Sequence, residues 1–146
     1  MKKLFKIALY LFVIGLLAGI GVYLYVFHKP HRNLANEKPD FVCTAEKLYN
    51  EFSANDTASY KKYGNKAVEV SGSVVEKTVT PKDITIVLFD SMGGVSCSFD
   101  STYISENKDK LEKIKNGSNV TIRGQCDGAD PILGVVLTSC VLPEAE

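Results

Sequence analysis

Residues 66–79 read KAVEVSGSVVEKTV, a run in which Val68, Val70, Gly72 and Val74 fall on every second position. Period two puts successive side chains on opposite faces of a pleated backbone, so the run predicts a strand with one buried face. Pro81-Lys82-Asp83 supplies turn chemistry, and ITIVLF at 84–89 then alternates again. A second turn, DSMGG at 90–94, leads into VSCSF at 95–99, where Val95, Cys97 and Phe99 share one face. Residues 101–116 are polar, with Leu111 and Ile114 as the main apolar positions and Gly117 after them, which predicts a short surface helix. Strands at 120–126 (VTIRGQC) and 135–142 (VVLTSCVL) follow, joined by DGADPILG.

Upstream, Leu48, Phe52, Asn55/Asp56, Ser59 and Tyr63 recur at spacings of three and four, which predicts a helix from Thr44 to Tyr63 with Gly64 as its stop. Asn55 and Asp56 in its middle mark a point where it can break. The order is then one helix, three strands, one helix and two strands. A three-strand meander, a helix and a final hairpin match the five-stranded Greek-key barrel of the OB-fold. VEVSGSV at 68–74 and VTIRGQC at 120–126 echo each other, as expected of first and fourth strands that pair. A glycine in each relieves crowding where the sheet curls. The fold class is therefore mainly β with flanking helices.

Residues 7–27 (IALYLFVIGLLAGIGVYLYVF) carry no charge. At 1.5 Å per residue they reach about 31 Å, enough for a bilayer core. Tyr10, Tyr23 and Tyr25 lie toward the ends, where amphipathic rings favour the headgroups. A cleaved signal peptide fits less well, since the one small-x-small site, Gly19-Ile20-Gly21, would leave an apolar new terminus. Lys2, Lys3 and Lys6 precede the segment, against Lys29 and Arg32 after it. The positive-inside rule then predicts a cytoplasmic N-terminus and an extracytoplasmic, periplasmic domain, with the chain single-pass in the inner (plasma) membrane. The expected organisation is 1–6 basic N-terminus, 7–27 transmembrane helix, 28–39 linker, 40–142 OB-fold domain and 143–146 tail. His28 and His31, flanking Pro30, read as solvated linker residues.

The stretch from Phe41 to Leu142 resembles the tRNA-anticodon-like OB-fold family of bacterial envelope proteins and lipoproteins, mostly of unknown function. The resemblance rests on Phe52, Asn55, Ala58, Tyr63 and Lys66, then on VSGSV at 70–74 with Gly72 and CSF at 97–99. It continues through GSNVTIRGQC at 117–126 with Gly124 and LTSC at 137–140. Many relatives resemble lipoproteins, whereas this chain has no cysteine before Cys43. The family's name records a similarity of fold and does not imply tRNA binding.

Charge narrows the function. The chain has 17 basic and 17 acidic residues, but residues 1–39 hold six basic against one acidic, leaving the domain at −5. Both histidines precede the domain, which disfavours a hydrolase built on a Ser–His or Cys–His pair. An acidic domain also lacks the basic groove that single-stranded nucleic acid requires. Lys108, Lys110, Lys113 and Lys115 alternate with Glu106, Asp109 and Glu112, the pattern of a solvated helix face. Asp127 and Asp130 lie in a turn-forming segment. No phosphate loop or metal-binding cluster is present, so no cofactor and no metal are expected.

Cys43, Cys97, Cys126 and Cys140 form no C-x-x-C pair. In an external domain an even count suggests a disulfide, with Cys126–Cys140 expected across the final hairpin, Cys97 as the alternative partner and Cys43 unpaired; buried free thiols acting as small apolar residues are the other reading. The reading that follows is a noncatalytic, membrane-anchored envelope module that binds a protein or glycan. A single-stranded nucleic-acid binder is the alternative, and a thiol-disulfide oxidoreductase has less support. Nothing specifies an oligomer.

Overall fold

Val68, Val70 and Val74 are all buried, as their spacing demands, and they line the first strand of a closed barrel in a computed structural model of the chain. The structure describes residues 2–27, 34–90 and 93–144. It divides into two units, an N-terminal helix and a β-rich domain. The helix, α1 (Lys2–Phe27), includes a 20-residue stretch, Lys6–Tyr25, of mean hydropathy 2.4 with no part buried. It is long and apolar enough to cross a membrane.

The domain begins with β1 (Phe41–Thr44), α2 (Ala45–Ala54) and α3 (Asp56–Tyr63). The predicted single helix is thus two. Asn55 adopts an extended backbone, and its side chain accepts from Ala58 N, so it ends one helix and caps the next. Thr44 caps α2 in the same way, through Lys47 N. The barrel strands are β2 (Ala67–Val79), β3 (Ile84–Leu88), β4 (Val95–Phe99), β5 (Asn119–Asp130) and β6 (Gly134–Val141), with α4 (Ser101–Glu112) between β4 and β5. Their order is β2-β3-β4-β6-β5, and β5 pairs back with β2, closing the ring. The pairings expected of an OB-fold are present: β2 with β5 antiparallel, and β4 with β6 parallel.

Ile84, Ile86, Leu88, Val95, Cys97, Phe99, Ile122 and Leu137 fill the interior. Side chains at one end of α4 join them through Leu111, which is fully buried. Lys77 on β2 donates to the carbonyls of Leu111 at 2.7 Å and Ile114 at 3.2 Å, placing a cation on the negative end of the helix.

Three features depart from the sequence reading. β1 pairs in parallel with Val68–Ser71 of β2. Four residues are too short to show a period, which is why it was not expected. The final hairpin is longer than expected, because β5 and β6 stay paired out to Asp130 and Gly134. Of the expected linker, 28–33 lies outside the described residues, while Leu34 is fully buried against Ala67 and Val141. Arg123 holds this strap, its Nη1 donating to the carbonyls of Leu34 at 3.3 Å and Glu37 at 2.7 Å.

The register also bears on the thiols. Cys126 lies opposite Leu137, not Cys140. Arg123 pairs with Val141 and Gln125 with Thr138, so Gly124 faces both Ser139 and Cys140 across a bulge. Ser139 takes a left-handed φ of 49°, and the extra residue turns Cys140 into the core. All four cysteines are free thiols in this structure.

Candidate binding face

In an OB barrel, ligands meet the outer surface of the second and third strands and the turns beside them. Here those strands are β3 and β4. On β3 buried positions alternate with outward ones, and on β4 Ser96 is buried as well beneath the β5–β6 turn; the register still reads off the outward positions in rows. One row runs Glu76, Val87, Ser96, Val136 across β2, β3, β4 and β6. The next runs Thr78, Thr85, Ser98. Neither row contains an aromatic or a cation.

The face is bordered by two turns. At one, Thr80 Oγ1 donates to the Asp83 carboxylate at 2.7 Å, and Val79 beside it is 63% exposed. At the other, between β5 and β6, Ile132 is 86% exposed and Leu133 53%. That tip is tightly held. Asp130 Oδ1 accepts from Ile132 N at 2.8 Å and Leu133 N at 3.0 Å, and these bonds hold its carboxyl below the usual carboxylate range. Ser96 Oγ donates to the Leu133 carbonyl at 2.9 Å, tying the turn to the outer face of β4. Asp127 accepts from Thr138 at 3.0 Å nearby.

The two strand aromatics serve other ends. Phe99 is fully buried, stacked on Tyr103 at 5.8 Å. Phe89 lies just past β3 with a left-handed φ of 81°, its ring tilted against Tyr49 of α2. Two cations are paired away from this face. Arg123, which lines a groove of about 960 Å³ with Pro39, Val120 and Leu142, grips Glu69 at 2.7 Å as well as the strap carbonyls. Lys108 lies 3.7 Å from Glu112 on the solvated side of α4.

Of the motif positions, Ser98 lies in an outer row, whereas Asn55, Tyr63, Lys66, Gly72 and Gly124 do not. Asn55 is a cap, and Tyr63 is buried against Phe41, its hydroxyl donating to Glu51 at 2.8 Å. Lys66 lies over the Phe41 ring at 5.2 Å. A side chain at Gly72 would meet Ala45 and Leu88, and one at Gly124 would meet Cys140 Sγ at 2.7 Å. These residues build the barrel. The face itself was not legible as a site, because Ser, Thr and Val on alternate strand positions look like any solvated strand.

The thiols are poor nucleophiles. Cys97, Cys126 and Cys140 are fully buried. Burial pushes Cys126 up to about 11, and it raises Cys140 and Cys43 as well. Among the described residues, no group of three or more His, Cys, Asp or Glu side chains is placed to hold a metal.

The tRNA_anti-like family profile matches residues 1–141. No curated protein matches the chain in sequence. A lipoprotein from Klebsiella pneumoniae subsp. pneumoniae, provisionally described as nucleic acid-binding, has a similar fold. It shows 19% identity and a TM-score of 0.55 over 70% of this chain and 91% of that one. Asparaginyl-tRNA synthetase from Pyrococcus horikoshii matches at 22% identity and a TM-score of 0.43, over 58% of this chain and 21% of that one.

Proposed function

The chain belongs to the tRNA_anti-like family, an OB-fold family, and from that premise we propose that it is a membrane-anchored, noncatalytic module that holds a protein or glycan partner in the cell envelope. One observation carries this reading: the outer rows of β3 and β4 offer Ser, Thr and Val beside Glu76, with no ring to stack a base and no cation to meet a phosphate. Nucleic-acid-binding barrels depend on both. The domain's balance of −5 opposes a polyanion further. Anchoring by α1 in the inner membrane is supported by its length and hydropathy, and an extracytoplasmic domain by Lys2, Lys3 and Lys6 ahead of it. The similar lipoprotein from Klebsiella agrees with a site at a membrane.

Fluorescence anisotropy of the full chain with a twenty-residue oligothymidylate and its RNA counterpart tests the partner class. At about 150 mM salt no saturable binding is expected, since nonspecific affinities at physiological salt lie near 10⁻⁴–10⁻⁶ M. Submicromolar affinity for either strand overturns the reading and promotes the nucleic-acid alternative.

For the cysteines, the register puts both Cys97 and Cys126 opposite Leu137, and it is the side-chain contact of Cys140 with Cys97 that favours Cys97 as its partner if the domain is oxidised. The Cys97 and Cys140 thiols lie side by side in the core. Nonreducing peptide mapping of the chain from native membranes distinguishes the two pairs.

A further inference from the structure

The turn between β5 and β6 presents Pro131, Ile132 and Leu133 in succession to solvent. Exposed apolar turns are usually loose, because nothing offsets the entropy of ordering them. This one is fixed by the two bonds to Asp130 Oδ1 and the third from Ser96 Oγ. An apolar group already held in one conformation loses little freedom when a partner covers it, which is what an interface anchor needs. Ser96 lies in the outer row but is buried beneath the tip it is bonded to, so the tip covers that end of β4 and adjoins the exposed part of the face.

That surface has a sign. Glu76, Asp83, Asp127 and Asp130 lie on or beside it with Lys82. Lys77 of β2 and Arg123 of β5 are bonded to the end of α4 and to the strap, so the face itself carries four carboxylates and one ammonium, a balance of −3. Carboxylates set around an exposed apolar pair complement a chain that alternates cations with aliphatic side chains. A phosphate or sulfate polymer would be repelled, and a neutral sugar would find no exposed ring in the rows to stack on. From Glu76 to Val136 the row crosses three strand spacings, about 14 Å, which four or five extended residues span.

We propose that the occupant of this face is a cationic, apolar segment of a partner protein, its aliphatic side chains packed on Ile132 and Leu133 and its cations on the surrounding carboxylates. This deepens the noncatalytic binding reading above and rests on it.

The test uses the full chain in phosphatidylcholine nanodiscs with four labelled probes. These are an octapeptide of alternating arginine and valine, its glutamate–valine counterpart, a chitohexaose, and the oligothymidylate. Saturable binding of the arginine–valine peptide is expected, with none of its counterpart. Ile132→Asp combined with Leu133→Asp is expected to weaken it at least about tenfold, the range of an interface anchor. Glu76→Lys should weaken it as well, while Lys108→Glu on α4 should leave it unchanged. All the substituted side chains are solvent-facing, and retained thermal melting confirms that each variant is folded. Equal binding of both peptides, or indifference to the tip variants, overturns the inference. Tip-dependent binding of chitohexaose alone overturns it too, yet leaves the noncatalytic module standing. Tight binding of the oligothymidylate brings down both.

Discussion

Gly124 is where a missing side chain shapes the core. A Cβ there would come within 2.7 Å of Cys140 Sγ and 3.0 Å of Leu137 Cβ, both in the packed interior. Gly124→Val is therefore expected to destabilise the domain by about 3 kcal/mol, near the upper end of overpacking costs, read as a lower denaturation midpoint. Asp130 gives a prediction in pH. Its carboxyl is held below its ordinary value by two backbone donors, so its contribution is fully present above about pH 4, the usual aspartate pKa. That contribution is lost as pH falls through the depressed folded value. The protection of the Ile132 and Leu133 amides, relative to their intrinsic exchange rates, should fall over that acidic window and stay level above it. Asp130→Ala should show low protection at every pH, without the step.

Among the elements, Lys77 and Asn55 join pieces that local propensity leaves separate. Lys77→Met removes a charged donor from two carbonyls at the end of α4 and is expected to cost about 2 kcal/mol, as hydrogen bonds to charged groups do. Asn55→Ala should cost about 1 kcal/mol by unmaking the cap of α3, seen as reduced helicity and a lower melting temperature. The same elements show what the sequence made legible. All five barrel strands and α4 follow from alternation and turn chemistry, because each is longer than its period. Asn55 was readable as a break for the same chemical reason that it caps. β1 was not, since FVCT is shorter than two full alternations and its pairing with β2 is settled by tertiary contact. The bulge at Gly124 was equally hidden. One extra residue in β6 moves Cys140 to the inner face, and no pattern in the strand itself announces the slip.

For the molecule as a whole, the strap at 34–39 and the apolar N-terminal helix are the parts outside the barrel. Arg123 joins Glu69 to the strap carbonyls, with side-chain exposures of 14% and 18% for the ion pair. Arg123→Met leaves Glu69 without its partner and is expected to cost about 2 kcal/mol, less than the loss of a fully buried pair. It should also open the strap, so that limited proteolysis cuts near Glu37 before the barrel unfolds. Protease added to spheroplasts is expected to digest the domain, since Lys2, Lys3 and Lys6 favour an internal N-terminus; protection of an otherwise digestible domain would reverse the orientation.

The ring of strands also fixes a timetable. Its seam joins β2 to β5 through partners such as Glu69 and Arg123, 54 residues apart in the chain, and β4 must find β6 in parallel. Such distant pairings make the chain search before any reward arrives, which puts assembly in the millisecond-to-second range typical of barrels. Until the ring closes, Cys97, Cys126 and Cys140 face solvent, and afterwards none does. A short pulse of alkylating reagent early in refolding should label all three, and the same pulse applied to the finished barrel should label none of them.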